Sequence, residues 1–307
     1  MISHENLHIG IDLGGTKIEI IVLDTVGGER YRKRIDTPQG DYQGTINAIV
    51  GLVKTAEQQF QQICSVGIGI PGALSNSSGL VKNANSVCLI GQDLKGDLQQ
   101  HLQREIFVAN DANCFALSEA IDGSAKGAKV VFGVIIGTGC GGGIIVDGQV
   151  LTGINWIGGE WGHNPLPWSN ADDQHECYCG LQGCTETFLS GTGLQKHFQQ
   201  RTGQQLTAKQ IVDLAEQGVV DAEEMLQDYC VWLAKGLASV INVVDPDVIV
   251  LGGGMGNIKR LYTEVPKLWD KWIFSNEATL TKLVAPRFGD SSGVRGAARL
   301  PNASHAK

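Results

Sequence analysis

I-G-I-D-L-G-G-T-K-I-E-I-I-V-L-D, residues 9–24, is two short apolar runs joined by a Gly/Thr turn. Runs over 7–13 and 18–23 flanking a glycine-rich turn predict a β-hairpin. The plan returns in F-G-V-I-I-G-T-G-C-G-G-G-I-I-V-D, residues 132–147. Residues 130–136 predict a strand, 137–143 a glycine-rich turn and 144–146 the next strand. The likeness lies in pattern more than identity, and it implies one architectural unit used twice. Backbone N–H groups of such turns suit phosphate. In the first turn Thr16 and Lys17 would assist, and Asp12 at the strand end suits a water-held Mg²⁺. A plain hairpin turn accounts for the same residues locally. No G-x-x-x-x-G-K-[ST] occurs, so the turn is not a Walker loop. Two such turns facing each other would hold a polyphosphate from both sides.

The intervening chain alternates helices and strands. Asp41 predicts a cap on a helix reaching about residue 62, with Ile46, Ile49, Val50 and Val53 at helical spacing. Residues 64–70 predict a buried strand stopped by Pro71-Gly72. V-K-N-A-N-S, residues 81–86, is a polar loop. Its Asn83 and Asn85 suit sugar hydroxyls, although asparagines in loops more often form local turns. A strand over 106–109 runs into Asn110-Asp111-Ala112-Asn113 and a helix over about 114–121. Asp111 therefore lies where a parallel strand ends and a helix begins, the place where open α/β sheets bind ligands. Its local alternative is a helix N-cap. Beyond residue 186 the chain predicts helices over 207–217, capped by Thr207, and 221–244, stopped by Pro246. A strand over 248–251 meets Gly252-Gly253-Gly254. A strand over 283–285 and a short helix near 294–300, capped by Ser291 or Ser292, close the sequence.

G-E-W-G-H-N-P-L-P-W-S-N-A-D-D-Q-H-E-C-Y-C-G-L-Q-G-C-T-E, residues 159–186, concentrates the metal-ligating side chains. Cys177, Cys179 and Cys184 with His163 make a complete tetrahedral N/S set for a structural zinc, with no position left for water. Reduced cysteines in an irregular loop are the alternative. His175, two residues before Cys177, competes with His163, and spacing does not separate them.

Bulk properties bound the function. With 307 residues, 42% hydrophobic and 18% charged, the chain suits a soluble globular protein of about two domains. Its 41 glycines imply many tight turns or close backbone approaches. A net charge of −8 argues against a nucleic-acid partner. No apolar run reaches membrane-span length, and the first residues lack a signal-peptide pattern. The remaining cysteines (Cys64, Cys88, Cys114, Cys140, Cys230) sit in apolar segments and suit a reduced, cytoplasmic protein.

The ordered set D-L-G-G-T-K (12–17), G-I-P-G (69–72), N-D-A-N (110–113), G-T-G-C-G-G-G (137–143), G-E-W-G-H (159–163), C-Y-C-G-L-Q-G-C-T-E (177–186) and G-G-G (252–254) resembles the ROK family of sugar kinases and repressors. V-K-N-A-N-S (81–86) and G-H-N-P-L-P-W (162–168) look more like its fructokinase (manno-fructokinase) branch than its glucokinase or N-acetylglucosamine kinase branches. The resemblance implies an α/β fold of the actin/hexokinase/Hsp70 superfamily, with two ribonuclease-H-like domains around a central cleft. Expected boundaries are 1–112 and 113–290, with a C-terminal helix, about 291–302, returning to the first domain. By the same resemblance Asp12, Gly14, Gly15, Thr16 and Lys17 form the first phosphate segment, and Gly137, Thr138 and Gly139 the second. Gly253 and Gly254 lie near adenosine. Asp111 is the general base, and Asn110, Glu160, His163 and Glu186 join it at the sugar, where Asn83 of the polar loop is also expected. His163, Cys177, Cys179 and Cys184 hold zinc. The gap between His163 and Cys177, through residues 168–176, is longer than in many relatives and keeps His175 in play.

The implied activity is ATP-dependent phosphorylation of a hexose 6-hydroxyl, with D-fructose expected and glucose, mannose or N-acetylglucosamine as alternatives. ATP, Mg²⁺ and zinc are the expected cofactors. The family often forms dimers, so a homodimer is among the expectations. A sugar-sensing repressor would need an N-terminal helix-turn-helix, and only about seven residues precede the first predicted strand. A non-catalytic zinc-stapled module would leave both phosphate turns and Asp111 unexplained.

Overall fold

The computed structural model describes residues 6–84, 86–170 and 174–303. The opening hairpin is present: β1 (His8–Leu13) pairs antiparallel with β2 (Lys17–Leu23), placing Asp12 opposite Glu19. β3 (Glu29–Asp36) adds antiparallel to β2 at the sheet edge. Its sequence, E-R-Y-R-K-R-I-D, has no apolar alternation and gave no strand signal. What holds it is charge. Arg32 and Arg34 both pair with Glu19, a carboxylate buried on β2. A charged edge also resists pairing with other chains.

α1 (Tyr42–Phe60) starts at Asp41, whose side chain accepts from the Gly44 N–H, and it buries Ile46, Ile49, Val50 and Val53 as predicted. β4 (Ser65–Ile70) lies parallel to β1. A small hairpin, β5 (Ala73–Leu74) and β6 (Val81–Lys82), precedes α2 (Leu94–Leu102), β7 (Ile106–Asn110) and α3 (Asp111–Ile121). β7 is parallel to β4, and the sheet order is β3-β2-β1-β4-β7.

β8 (Val130–Ile136), β9 (Cys140–Val146) and β10 (Gln149–Val150) open the second sheet. After α4 (Thr185–Leu189), α5 (Gly191–Thr202), α6 (Ala208–Glu216) and α7 (Val220–Val244) come β11 (Val248–Gly252), α8 (Leu261–Trp269), β12 (Lys282–Val284) and α9 (Ser292–Ala303). The second sheet runs β10-β9-β8-β11-β12, with β11 parallel to both β8 and β12. This repeats the first sheet's order, so the unit does occur twice.

One expectation needs correction. The glycine-rich turn predicted over 137–143 ends at Gly139, because Gly141–Gly143 lie inside β9. Those glycines serve close packing. A Cβ on Gly142 would stand 2.8 Å from the Gly159 carbonyl oxygen, and one on Gly143 would stand 2.7 Å from that of Ala112.

The described residues form two compact units, those within 1–127, 143–158 and 290–307, and those within 128–142 and 159–289. In the first, α9 lies directly on β1 and β4 because glycines clear its path. Gly10 and Gly67 are register partners, and a Cβ on either would fall about 2 Å from an α9 carbonyl oxygen: 2.1 Å from Val294 and 1.9 Å from Ala297. A Cβ on Gly296 of α9 would meet the Cys114 carbonyl oxygen of α3 at 1.6 Å. Asp122 then holds Arg295 at 3.1 Å and Arg299 at 2.9 Å, both buried. In the second unit, α7 buries Met225, Leu226, Leu233 and Leu237, and the Tyr229 hydroxyl donates to the Leu189 carbonyl at 2.6 Å. α6 carries a capping box between Thr207 and Gln210.

Candidate active site

In the first unit the turn after β1 is fixed from outside. The Gly14 N–H donates to the Lys17 carbonyl at 2.9 Å, and the Thr37 hydroxyl donates to the Gly14 carbonyl at 2.9 Å. Gln39 donates to the Gly15 carbonyl at 2.6 Å. Gly15 and Thr16 stay exposed. The Lys17 ammonium pairs with Asp36 across β2 and β3.

Asp111 is the first residue of α3. The local alternative, that it caps this helix, is corrected: Asn110 is the cap, its side-chain oxygen accepting from the Ala112 N–H at 2.8 Å. Asp111 Oδ1 accepts from the same N–H at 2.8 Å. The other end of the Asn110 amide donates to the Gly72 carbonyl at 2.9 Å. Gly72, at φ 106°, in turn packs on residues 82–84, since a Cβ there would lie 2.7 Å from the Lys82 carbonyl oxygen. The Pro71-Gly72 turn, Asn110, Asp111 and exposed Asn83 (φ 54°) are therefore one local arrangement. Asn85 lies outside the described residues.

Asp12 and Asp111 act on each other. Burial, then the negative charges of Asp111 and Glu19, push Asp12 up to about 6, with Arg34 opposing. The shift is upward, so the folded state holds this proton more tightly than the unfolded chain. Asp12 therefore costs stability as pH rises through the window from about 4 to about 6. Asp12→Asn is expected to raise stability by about 3 kcal/mol at pH 8 and to leave it unchanged near pH 3. Thermal unfolding at the two pH values checks this. Equal melting shifts at both would contradict it.

In the second unit, the turn after β8 closes with the Gly137 N–H donating to the Gly139 carbonyl at 2.9 Å. The N-terminus of α5 locks onto it: the Gly191 N–H donates to the Gly137 carbonyl at 2.8 Å and the Thr192 hydroxyl to the Thr138 carbonyl at 3.1 Å. Glu186 accepts from the Cys140 N–H at 2.9 Å. Gly253 sits at φ 79°, where a Cβ would strike the Ile136 carbonyl oxygen at 2.4 Å, so only glycine fits. Beside these turns is a cavity of about 590 Å³, walled by Gly137, Thr138, Val212, Gly254, Met255 and Ile258. Glycine backbone and apolar side chains among its walls, with Lys209, Asp213 and Glu216 also lining it, suit a flat base with a phosphate tail. The sequence reading found the glycines of this cavity. It missed Val212, Met255 and Ile258, which carry no local signal.

His163, Cys177, Cys179 and Cys184 converge, with ligand atoms all within 4.8 Å of one another. Cys177 Sγ lies 3.6 Å from His163 Nδ1, and Cys179 Sγ lies 3.6 Å from Cys184 Sγ. A tetrahedral zinc with sulfur bonds of about 2.3 Å has ligand–ligand edges of about 3.8 Å, and a disulfide would be far shorter. The donor set and its spacing fit zinc. The loop's own backbone pins it, with the Cys177 N–H donating to the Leu181 carbonyl at 2.8 Å and the Gly180 N–H to the Cys177 carbonyl at 3.0 Å. A backbone hydrogen bond from Leu181 brings the Cys179 thiol down to about 7, while burial pushes Cys184 up to about 12. His175 is separate from this cluster. It packs edge-on to His197, with ring centroids 4.4 Å apart.

His163 Nε2 lies 3.0 Å from the Tyr178 hydroxyl, and the rings meet edge-to-face at 5.1 Å. Desolvation, then the charges of Glu186, Cys177 and Glu160, push Tyr178 up to about 12. The sequence reading assigned no role to this tyrosine.

The profile of the ROK family matches residues 8–304. The chain belongs to the ROK family. This ROK chain is 38% identical over 300 residues to the N-acetyl-D-glucosamine kinase of Photobacterium profundum, covering 96% of this chain and 99% of that one. It is 39% identical over 306 residues to the enzyme of that name from Yersinia enterocolitica, with the same coverage. The ROK hexokinase of Thermus thermophilus superposes with a TM-score of 0.84 at 30% identity, over 95% of this chain and 96% of that one. The ROK glucokinase of Streptomyces griseus, solved with glucose and AMPPNP, gives 0.77 at 29%, over 96% and 99%. The fold is therefore that of the actin/hexokinase superfamily, and this ROK protein is a sugar kinase, with a sugar and ATP as its substrates. The fructokinase branch expected from residues 81–86 and 162–168 finds no support among these relatives, which are named for N-acetyl-D-glucosamine, glucose or hexose. Among the described residues, no helix is long and apolar enough to cross a membrane.

Proposed function

We propose that this sugar kinase transfers the γ-phosphoryl group of ATP to the 6-hydroxyl of a hexose, with Asp111 as general base. The observation that carries the reading is the placement of Asp111. It opens α3 at the carboxyl end of a parallel strand, beside Asp12 and the glycine turn of β1–β2, while Asn110 does the capping. Asp111 takes the hydroxyl proton as the sugar oxygen attacks the γ-phosphorus. Asn83, Asn110, Glu160, His163 and Glu186 hold the sugar. Gly14, Gly15, Thr16 and Lys17, with Gly137, Thr138 and Gly139, position the phosphates, and Gly253 and Gly254 edge the cavity for adenosine. Asp12 would hold Mg²⁺ through water. That ion supplies charge neutralisation on the phosphates, and phosphoryl transfer depends mostly on such positioning and electrostatics.

The preferred sugar is D-fructose in this reading. Identity over the whole chain speaks to fold and chemistry, whereas sugar choice rests on a few hydroxyl contacts. The loops at 81–86 and 162–168 carry the fructokinase resemblance. A second reading, N-acetyl-D-glucosamine, is favoured by the names of the relatives at 38% and 39% identity. Comparing kcat/KM for fructose, N-acetylglucosamine, glucose and mannose decides between them. A lead of at least about tenfold for fructose supports the first reading, and the same lead for N-acetylglucosamine replaces it with the second.

Zinc at His163, Cys177, Cys179 and Cys184 is structural in this proposal, since no ligand position stays open for chemistry. Its role is to fix a loop that has little apolar packing, between Glu160 and Glu186. Chelation is expected to weaken hexose binding by about tenfold or more while the second unit's helices persist; outer-shell disturbances of metal sites already act on that scale. Calorimetry and circular dichroism on a verified zinc-free sample check this, and undiminished hexose affinity would count against it.

A further inference from the structure

We propose that Thr192 is a positioning residue for the nucleotide: from the first turn of α5 it aims the Thr138 and Gly139 N–H groups at the phosphates of ATP. The inference rests on the reading of Gly137, Thr138 and Gly139 as a phosphate segment.

Gly137 and Gly139 have no side chains to fix the turn after β8, so its direction is set from outside. Residues 186–192 do this. The Gly191 N–H donates to the Gly137 carbonyl at 2.8 Å, and the Thr192 hydroxyl donates to the Thr138 carbonyl at 3.1 Å. Glu186 of α4 accepts from the Cys140 N–H at 2.9 Å. No peptide bond among the described residues is cis. In a trans peptide the C=O and the following N–H point opposite ways. Tying the carbonyls of Gly137 and Thr138 to α5 therefore turns the N–H groups of Thr138 and Gly139 away from α5. Successive N–H groups presented on one side make a cradle for an anion.

The threonine hydroxyl is itself held. It has one proton, and that proton goes to the Thr138 carbonyl. Ser190 Oγ lies 3.0 Å from Thr192 Oγ1 and accepts from the Gly193 N–H at 3.0 Å. Ser190 therefore donates to Thr192, which is fixed from both sides. Backbone packing leaves α5 no room to come closer. A Cβ on Gly191 would stand 3.3 Å from the Gly137 carbonyl oxygen, and one on Gly193 would stand 2.4 Å from that of Thr187. Ser190 is buried, whereas Thr192 is exposed and is one wall of the cavity beside the turns. In the free protein water can replace the bond to Thr138. With a nucleotide filling the cavity that water is displaced, and the carbonyl has no substitute partner. Losing the hydroxyl thus costs nucleotide affinity more than it costs stability.

Thr192→Val keeps the branched shape and removes the hydroxyl, while Thr192→Ser keeps the hydroxyl. By calorimetry, the Kd of a magnesium-bound, non-hydrolysable ATP analogue is expected to rise about 5–10-fold in the valine variant and to stay within about twofold of wild type in the serine variant. At saturating ATP kcat should stay within about threefold, and the hexose Kd should not move, since no contact to the sugar is lost. Without nucleotide the melting temperature should shift by less than about 2 °C. Adenosine has no phosphate and should bind the valine variant and wild type equally. An unchanged Kd for the ATP analogue in Thr192→Val overturns the proposal. Equal losses for adenosine and the ATP analogue also overturn it, making Thr192 a wall of the cavity alone. If Thr192→Val does not fold, Thr192→Ala adds no bulk and carries the same expectations. Wild-type protein that binds the ATP analogue no tighter than adenosine would defeat the phosphate reading of the turn, a result distinct from these.

Discussion

Asp111→Ala is expected to lose at least about 10²–10⁴ in kcat, the usual contribution of a positioned general base, while the protein stays folded and still binds its hexose. The structure separates these outcomes. Because Asn110 caps α3, removing the Asp111 carboxylate does not uncap the helix. The residue stands against Asp12, whose carboxyl it helps push up to about 6. Taking the charge away relieves that repulsion, so thermal stability above pH 6 should not fall. Stopped-time assays with melting curves on the same sample provide the check. Near-normal turnover would reduce Asp111 to a second acceptor for the Ala112 N–H. Loss of stability in step with loss of rate would make its role structural.

Gly296→Ala is expected to be the most damaging single methyl group in the chain's first unit. Its Cβ would stand 1.6 Å from the Cys114 carbonyl oxygen, and the obstacle is backbone of α3, not the end of a side chain that can turn away. α9 cannot retreat easily. Its other side is pressed on Gly10 and Gly67, and Asp122 ties Arg295 and Arg299 in a buried cluster. Overpacking usually costs about 1–3 kcal/mol. Here the helix must separate from two layers at once, so the expected loss is about 3 kcal/mol or more, a large part of a typical 5–15 kcal/mol margin. Gly51→Ala is the control. It lies on the exposed face of α1 with nothing within 4 Å of the added Cβ, and should gain about 0.5–1 kcal/mol from helix propensity. Denaturant melts of the two variants should move in opposite directions. A Gly296→Ala protein as stable as wild type would mean that α9 is not packed as described.

The sequence carried the parts of this protein that depend on local pattern. The hairpin at 9–24 and its repeat at 132–147 were legible because apolar runs and glycine turns are short-range signals. Asp41 and Thr207 announced α1 and α6 because capping is chemistry within four residues. β3 was invisible because its stabilisation lies in Glu19 on the neighbouring strand, not in its own periodicity. α5 opens on G-T-G and α8 contains Pro266, so propensity argued against both. The tertiary setting overrides it: the α5 N-terminus is held by the carbonyls of Gly137 and Thr138, and α8 buries Leu261, Val265 and Trp269.

The candidate site divides the same way. Cys177, Cys179 and Cys184 stood out by spacing, but choosing His163 over His175 needed the fold. Both histidines are within reach along the chain, and only one shares the sulfurs' pocket. Glycines 10, 67 and 296 are spread through the sequence and gain their meaning only where three elements meet. The cavity walls Val212, Met255 and Ile258 come from α6 and the segment after β11, and no local rule joins them. Tyr178 carried no local signal because its partner, His163, is fifteen residues away.

The most direct test follows the phosphoryl group itself. Purified protein with MgATP and D-fructose, read by phosphorus and carbon NMR, should convert ATP to ADP with one equivalent of hexose 6-phosphate, and the wild type should do this while Asp111→Ala does not. ATP consumed without any sugar phosphate, with all four hexoses, or a phosphate on a ring hydroxyl instead of carbon 6, would contradict the assignment of this site to hexose 6-phosphorylation.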